Sequence, residues 1–322
     1  MTDTRQTPAE IPLTIVIVTW NCLPLADACL RGLLDGDLPE GTEIIVVDNA
    51  SHDGTAEALA TSFPRIRLIA NTTNVGFAAA NNQAIAIASG RMLLLLNPDA
   101  FPTTRDTLVG MLDFLDAHQD FAAAGCRLVF PDGRHQVGDA GYRPSPATIA
   151  VHALGLLHLP WRGRGLFMVR PQTLPSSSVD VDWLCGACLM VRAGVVADVG
   201  PLDQTFFMYA EDIEWGCRIR AHGYRLAYLP KLSVVHLQGG TQASKSPSTR
   251  WLDSLAWLYC RLNNTERPRA FGLLMACGFA ARALAYGGFG LLPGRKHLVA
   301  RGSNMWVFAR RAWQLSFTSV PT

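Results

Sequence analysis

Charge is scarce in this chain. Only 17% of its 322 residues are Asp, Glu, Lys or Arg, against 49% apolar residues, which excludes a disordered or highly solvated polypeptide. No long basic run is present and the net charge is +2, so nothing points to a nucleic-acid partner. The first residues, MTDTRQTPAEIP, lack the charged-then-apolar order of a signal peptide, and the expected location is the cytoplasm. The eight cysteines form no paired framework, as expected of reduced thiols. The spacing of Cys185 and Cys188 suits a redox motif, but LMVR follows as a strand rather than a helix, and no second pair completes a zinc site. Glycine-rich phosphate loops are missing too: there is no G-x-G-x-x-G after the first strand and no G-x-x-x-x-G-K-[ST] anywhere. A nucleotide bound here must have its diphosphate held by acids and a metal.

What is present is an alternation. LTIVIVTWN (13–21), EIIVVDNAS (43–51), RIRLIAN (65–71) and LLLLNPDA (93–100) read as buried strands separated by helical stretches. GFAAANNQAIAIAS (76–89) is the third of these helices, expected to be capped by Gly90. The pattern predicts a parallel sheet with right-handed crossovers. Further on, 104–118 reads as a helix, and AAAGCRLVFPDGR as a strand entering an Asp132-Gly133 turn. Residues 139–180 form a long Pro, Gly, Arg and Ser-rich connection, and VDWLCGACLMVRAGVVADVG resumes as strand then helix. Glu211, Asp212 and Glu214 open a helix ending near Gly223, and YRLAYLPKLSVVHLQGG is expected to be a pair of strands. Residues 270–292 are apolar and long enough to cross a bilayer, yet contain Arg282 and are flanked by Arg267, Arg269, Arg295, Lys296 and Arg301. A helix or hairpin at an anionic membrane surface and a helix packed on the core both fit.

Asp48 and Asp99 each end a strand. Alone, either is an ordinary strand-to-turn residue; together, at one edge of one sheet, they delimit a crevice where open α/β folds bind ligands. Asp48 suits a base N–H or ribose hydroxyl, and Asp99 a hard divalent cation.

In order, TWN, VDNASHDGT, NVGFAAANNQA, LLLNPDA, GACLMVR and FFMYAEDIEWGCRIR resemble the family 2 glycosyltransferases of GT-A fold, rhamnosyltransferase-like branch, over residues 12–242. The resemblance implies a Rossmann-like α/β domain (1–242), its mostly parallel central sheet flanked by helices, with a helical, possible membrane-associating extension (243–322). It implies a donor pocket of Thr19, Asn21, Asp48, Asn74 and Gly76. It matches Asn97 and Asp99 to the diphosphate-binding acidic motif, with Mg2+ or Mn2+ on Asp99 and His236; the Asn at 97 removes one charge. Trp183, Gly186 and Ala187 match the acceptor loop. Asp212 is the expected general base, with Glu211 orienting it or the acceptor, for inverting transfer from a dTDP- or UDP-sugar. Arg218 or Arg220 would add leaving-group stabilisation, and Arg162 and Arg164 would meet the pyrophosphate of a polyprenyl-diphosphate-linked or growing glycan acceptor. Rival readings are a sugar-1-phosphate nucleotidyltransferase, which wants a glycine-rich loop that TWNCLPLADA does not offer, and a non-catalytic nucleotide-sugar-binding scaffold.

Overall fold

In the computed structural model, residues 11–156, 167–169, 178–237, 248–292 and 294–318 are described. Leu13–Thr19 (β1), Glu43–Asp48 (β2), Arg67–Ala70 (β3) and Met92–Leu96 (β4) run parallel in spatial order β3-β2-β1-β4. The connecting helices are Leu23–Leu34 (α1), Thr55–Ser62 (α2) and Phe77–Ile85 (α3). β1 is apolar on both faces because both are covered: Ile15 and Ile17 meet α1, while Val16 meets the alanines of α3. Leu93 to Leu96 of β4 are all buried. Burying each such side chain is worth roughly 1.5–3 kcal/mol, which keeps β4 central.

The chain continues through Ala100–Pro102 (β5), Asp106–Ala117 (α4), Phe121–Val129 (β6), Ala140–Gly141 (β7) and Pro146–Ala153 (α5). Val179–Val181 (β8), Trp183–Leu184 (β9), Cys188–Arg192 (β10), Ala193–Val199 (α6), Glu211–Ala221 (α7) and Arg225–His236 (β11) follow. β10 lies antiparallel between β4 and β6, and β11 is parallel to β6. β7 and β9 form a separate two-stranded ribbon. The fold is α/β with a mostly parallel sheet and helices on both faces.

Three expectations are corrected. The strand pair expected at YRLAYLPKLSVVHLQGG is one strand, β11, with a register shift between Leu229 and Ser233, where Pro230 has no N–H for the ladder. Its first half pairs with β8 and its second with β5. Gly90 does not cap α3, which ends at Ile85; it is needed because a Cβ there would sit 2.4 Å from the Thr14 amide nitrogen. The loop-like stretch after Asp139 contains α5, whose Ser145 and Thr148 form a reciprocal capping box.

Beyond the sheet, Arg250–Asn263 (α8), Arg269–Gly290 (α9) and His297–Leu315 (α10) form the helical extension. α9 and α10 meet along small residues: a Cβ on Gly272 would lie 2.3 Å from Ser316 Oγ, and one on Gly290 2.6 Å from a Val299 methyl. Gly278 lies equally close to the Ala153 backbone of α5. Residues from 1–242, among them Ile149, Phe167, Trp183 and Phe206, share one apolar cluster with α8, α9 and α10.

Candidate active site at the carboxyl edge of the sheet

Register explains why the expected residues gather. Thr19 is opposite Asp48, and the β1–β4 pairing ends with Val16 opposite Leu95, so Asn97 and Asp99 emerge at the same edge. Asp48 is 2% exposed; its Oδ2 accepts the Ser51 amide, while its buried Oδ1 has no partner among the described residues. Such an orphan acceptor costs free energy until a donor reaches it. Asn21, in the left-handed region (φ 49), accepts the His52 amide on its Oδ1 and donates its own N–H to Ser51 Oγ. The next residue after Asp48 is a hub that sequence reasoning passed over. Asn49 Nδ2 donates to Asn74 Oδ1 (2.9 Å) and Gly76 O (3.3 Å), and its Oδ1 accepts from Asn71 and Val75. Its signal was its place inside VDNASHDGT.

On the other side of the edge, His236 stands opposite Ala100 in the β5–β11 pair, which carries its ring to Asp99. His236 Nε2 lies 3.3 Å from Asp99 Oδ1 and 3.4 Å from Asn97 Nδ2. At the far side of the ring, Nδ1 is 2.6 Å from Gln136 Oε1. Gln136 Oε1 can only accept, so Nδ1 carries a proton, and a neutral ring then turns the Nε2 lone pair towards Asp99. Gln136 had no signal in the sequence, since the turn after β6 meets His236 only through the sheet.

The two halves are joined by backbone. Because β10 runs antiparallel to β4, residues 185–187 pass beside Asn97, whose N–H donates to Ala187 O (3.0 Å). The Gly186 N–H donates to Asp212 Oδ2 (2.9 Å), and the Ile213 N–H to Asp212 Oδ1 (2.8 Å). Burial pushes the Asp212 carboxyl up, with these amides pulling the other way. Glu211 is pushed well above the ordinary range, by burial first and by the Asp212 charge second, and its Oε2 is buried without a partner among the described residues. Burial thus raises both carboxyls, and the two differ in that amides hold the oxygens of Asp212 while Glu211 Oε2 has no such partner among the described residues. Tyr209 and Ala210, both at φ 71, turn the chain into α7; two successive non-glycine residues in that region are strained. The turn is clamped by α8: Ser254 Oγ donates to Met208 O (3.0 Å), Trp257 packs at a tilt against Phe206 (ring centroids 4.4 Å apart) and Arg261 pairs with Asp203.

A model of glycosyl transferase family 2 matches residues 14–168. An N-acetylglucosaminyl-diphospho-decaprenol L-rhamnosyltransferase of Mycobacterium tuberculosis is 30% identical over 239 residues, covering 70% of this chain and 75% of that protein. The chain belongs to glycosyl transferase family 2. The rhamnosyltransferase WbbL of Escherichia coli K12 is 27% identical over 168 residues, 50% of this chain and 60% of that one. Among solved structures, the mannosyltransferase PcManGT of Pyrobaculum calidifontis, in complex with GDP-Man and Mn2+, superposes with a TM-score of 0.59 at 19% identity. It covers 95% of this chain and 88% of that one, a likeness of GT-A fold. This protein is a glycosyltransferase.

For a family 2 glycosyltransferase, two expected roles do not fit where the side chains lie. Trp183 is 2% exposed, donates its indole N–H to Tyr142 O and packs on Phe167, so it offers no face to a sugar. Arg218 is bound to Glu214 and the Val199 and Pro201 carbonyls, and Arg220 to Asp180 and Asp182, so both hold the fold together. Arg162 and Arg164 lie outside the described residues. Gly186 and Ala187 line the join described above. A divalent cation would fit the pair Asp99 and His236, whose Oδ1 and Nε2 lie 3.3 Å apart. No third His, Cys, Asp or Glu among the described residues joins them, which leaves the remaining positions of a hard cation's shell to substrate oxygens and water.

Proposed function

We propose that this glycosyltransferase moves L-rhamnose from dTDP-rhamnose, with inversion, to a lipid-linked or growing cell-surface glycan at the inner face of the cell membrane. The observation that supports the reading is the backbone join between Asn97 and Asp212 through Ala187 and Gly186, which brings the residues proposed to bind the diphosphate and to take the proton close to one another. The mycobacterial and Escherichia coli relatives, both named rhamnosyltransferases, support the sugar, and the decaprenol named in the former supports the acceptor class.

In this mechanism Thr19, Asn21, Asp48, Asn74 and Gly76 bind the nucleoside, Asp48 Oδ1 taking a base N–H or ribose hydroxyl. Asp99 and His236 would hold Mg2+ or Mn2+, supplying electrostatic stabilisation of the leaving diphosphate. Asp212 accepts the proton of the acceptor hydroxyl as its oxygen bonds to C1. The C1–O bond to the diphosphate breaks with its electron pair on the leaving group. Glu211 orients Asp212 or the acceptor. Phe207 and Tyr209, exposed beside the acids, take over the sugar-stacking role expected of Trp183.

The test is a titration of the purified protein with dTDP, UDP and GDP, with and without Mg2+ or Mn2+. Metal-dependent binding that favours dTDP is expected. Preference for UDP would transfer the reading to a UDP-sugar donor in the same cleft, and no binding of any of the three would overturn it.

A further inference from the structure

From Arg267 to the end the chain holds eight Arg and Lys residues and no Asp or Glu. In this acid-free stretch α9 buries one side against α5, α8 and α10, and leaves the opposite side to solvent. That free side is apolar along the helix: Leu273, Leu284 and, just past its end, Leu291 are 42%, 66% and 85% exposed. α10 does the same with Trp306, Trp313 and, just past its end, Phe317, which are seven and four residues apart and stay exposed. Phe279 of α9 and Phe308 of α10 touch each other and both rest on Trp251 of α8. With a shared floor and a shared seam, the free sides of the two antiparallel helices lie next to each other and form one surface.

The charges beside that surface are of one sign. Arg295 and Lys296 occupy the turn between the helices, and Arg301 and Arg310 lie on α10; all four are exposed and none has an ion pair among the described residues. Large apolar exposure with aromatic residues and a basic rim matches the interfacial region of an anionic bilayer. α9 is long enough to cross a membrane, but 39% of its apolar window is buried in protein. It also carries Arg282, half-buried over the Phe279 ring at 4.7 Å. Crossing would strip α5, α8 and α10 from it.

We infer that the outer face of the α9–α10 hairpin is a docking surface for an anionic lipid bilayer, lying in the headgroup plane with its leucines and tryptophans inserted and its Arg and Lys residues on lipid phosphates. The inference deepens the proposal of a lipid-linked acceptor and rests on it for its purpose, but it is read by lipid partition, so either can fail alone.

The test is cosedimentation of the full chain with vesicles of phosphatidylcholine, pure or mixed with phosphatidylglycerol. The wild type should partition to the mixed vesicles at low salt, with blue-shifted tryptophan emission. Leu284→Glu with Leu291→Glu should lower partition roughly tenfold or more. Arg295→Glu with Lys296→Glu should lower it less, by an amount that high salt abolishes. Unchanged circular dichroism and nucleoside diphosphate affinity would show the variants folded. A wild type that stays in the supernatant with both vesicle types overturns the inference. So does a lipid-free dimer, seen by light scattering, that the leucine substitutions dissociate, because a second copy then covers the face.

Discussion

At the carboxyl edge of the sheet, acids are buried; in the hairpin, leucines and tryptophans are exposed. Residues 1–266 hold 20 basic and 26 acidic side chains, whereas 267–322 hold eight and none. Asp48, Asp99 and Glu211 are each under a tenth exposed, while Leu284, Leu291 and Phe317 exceed 60%. Both arrangements cost free energy in water alone, one by desolvating charge and the other by wetting apolar surface. Each would be relieved by a molecule of matching chemistry, as proposed above: a nucleotide-sugar and a cation at the edge, lipid at the hairpin. The two regions also answer pH in opposite directions. At the hairpin floor His152 is buried with Nδ1 unpartnered among the described residues, and burial, then Arg282, holds its pKa down to about 4. Glu211 is held high instead.

The largest effect should come from Asp212→Asn. The rate constant for transfer, measured with saturating donor, should fall about 10²–10⁴-fold as the base is lost. Vesicle partition should not change; a parallel fall in partition would break the separation of the two regions. The second contrast is in stability. The unfolded chain protonates His152 near 6.5 and the folded one only near 4, so stability should be lost as pH falls through that window, by on the order of 3 kcal/mol. The folded pKa of Glu211 lies above its ordinary 4.5, so its contribution is lost as pH rises from there through the folded value. Denaturant titrations across pH should show His152→Leu flattening the acid limb and Glu211→Gln the alkaline limb. Crossed outcomes would mean the assignments are reversed. The smallest effect should come from Gln136→Leu, which frees the His236 ring to rotate. Calorimetry with Mn2+ and a nucleoside diphosphate should show about 10- to 100-fold weaker metal affinity, with metal-free nucleotide binding unchanged.

Much of the candidate site was legible because it is built from strand ends. LLLLNPDA and EIIVVDNAS each announce a buried strand and the residue that leaves it, and parallel register does the rest. What stayed hidden depends on partners distant in sequence. Gln136 reaches His236 across 100 residues, and the burial of Trp183 depends on Phe167 and Tyr142. The direction of β10 follows from its pairing with β4, which no local pattern encodes. α8 did leave a trace: its buried Leu252, Leu255, Ala256 and Tyr259 keep helical spacing in a polar stretch. For the hairpin, composition left open a membrane surface or the core; the structure packs one side of α9 on the core and leaves the other exposed.

The clamp of α8 on the turn before Glu211 has a consequence for descent. The family match ends at residue 168, yet the turn that delivers Glu211 and Asp212 leans on Ser254, Trp257 and Arg261. Exchanging tails between relatives would therefore replace one wall of that turn along with the α9–α10 hairpin. A recombinant that kept its activity would have to inherit turn and tail from the same parent.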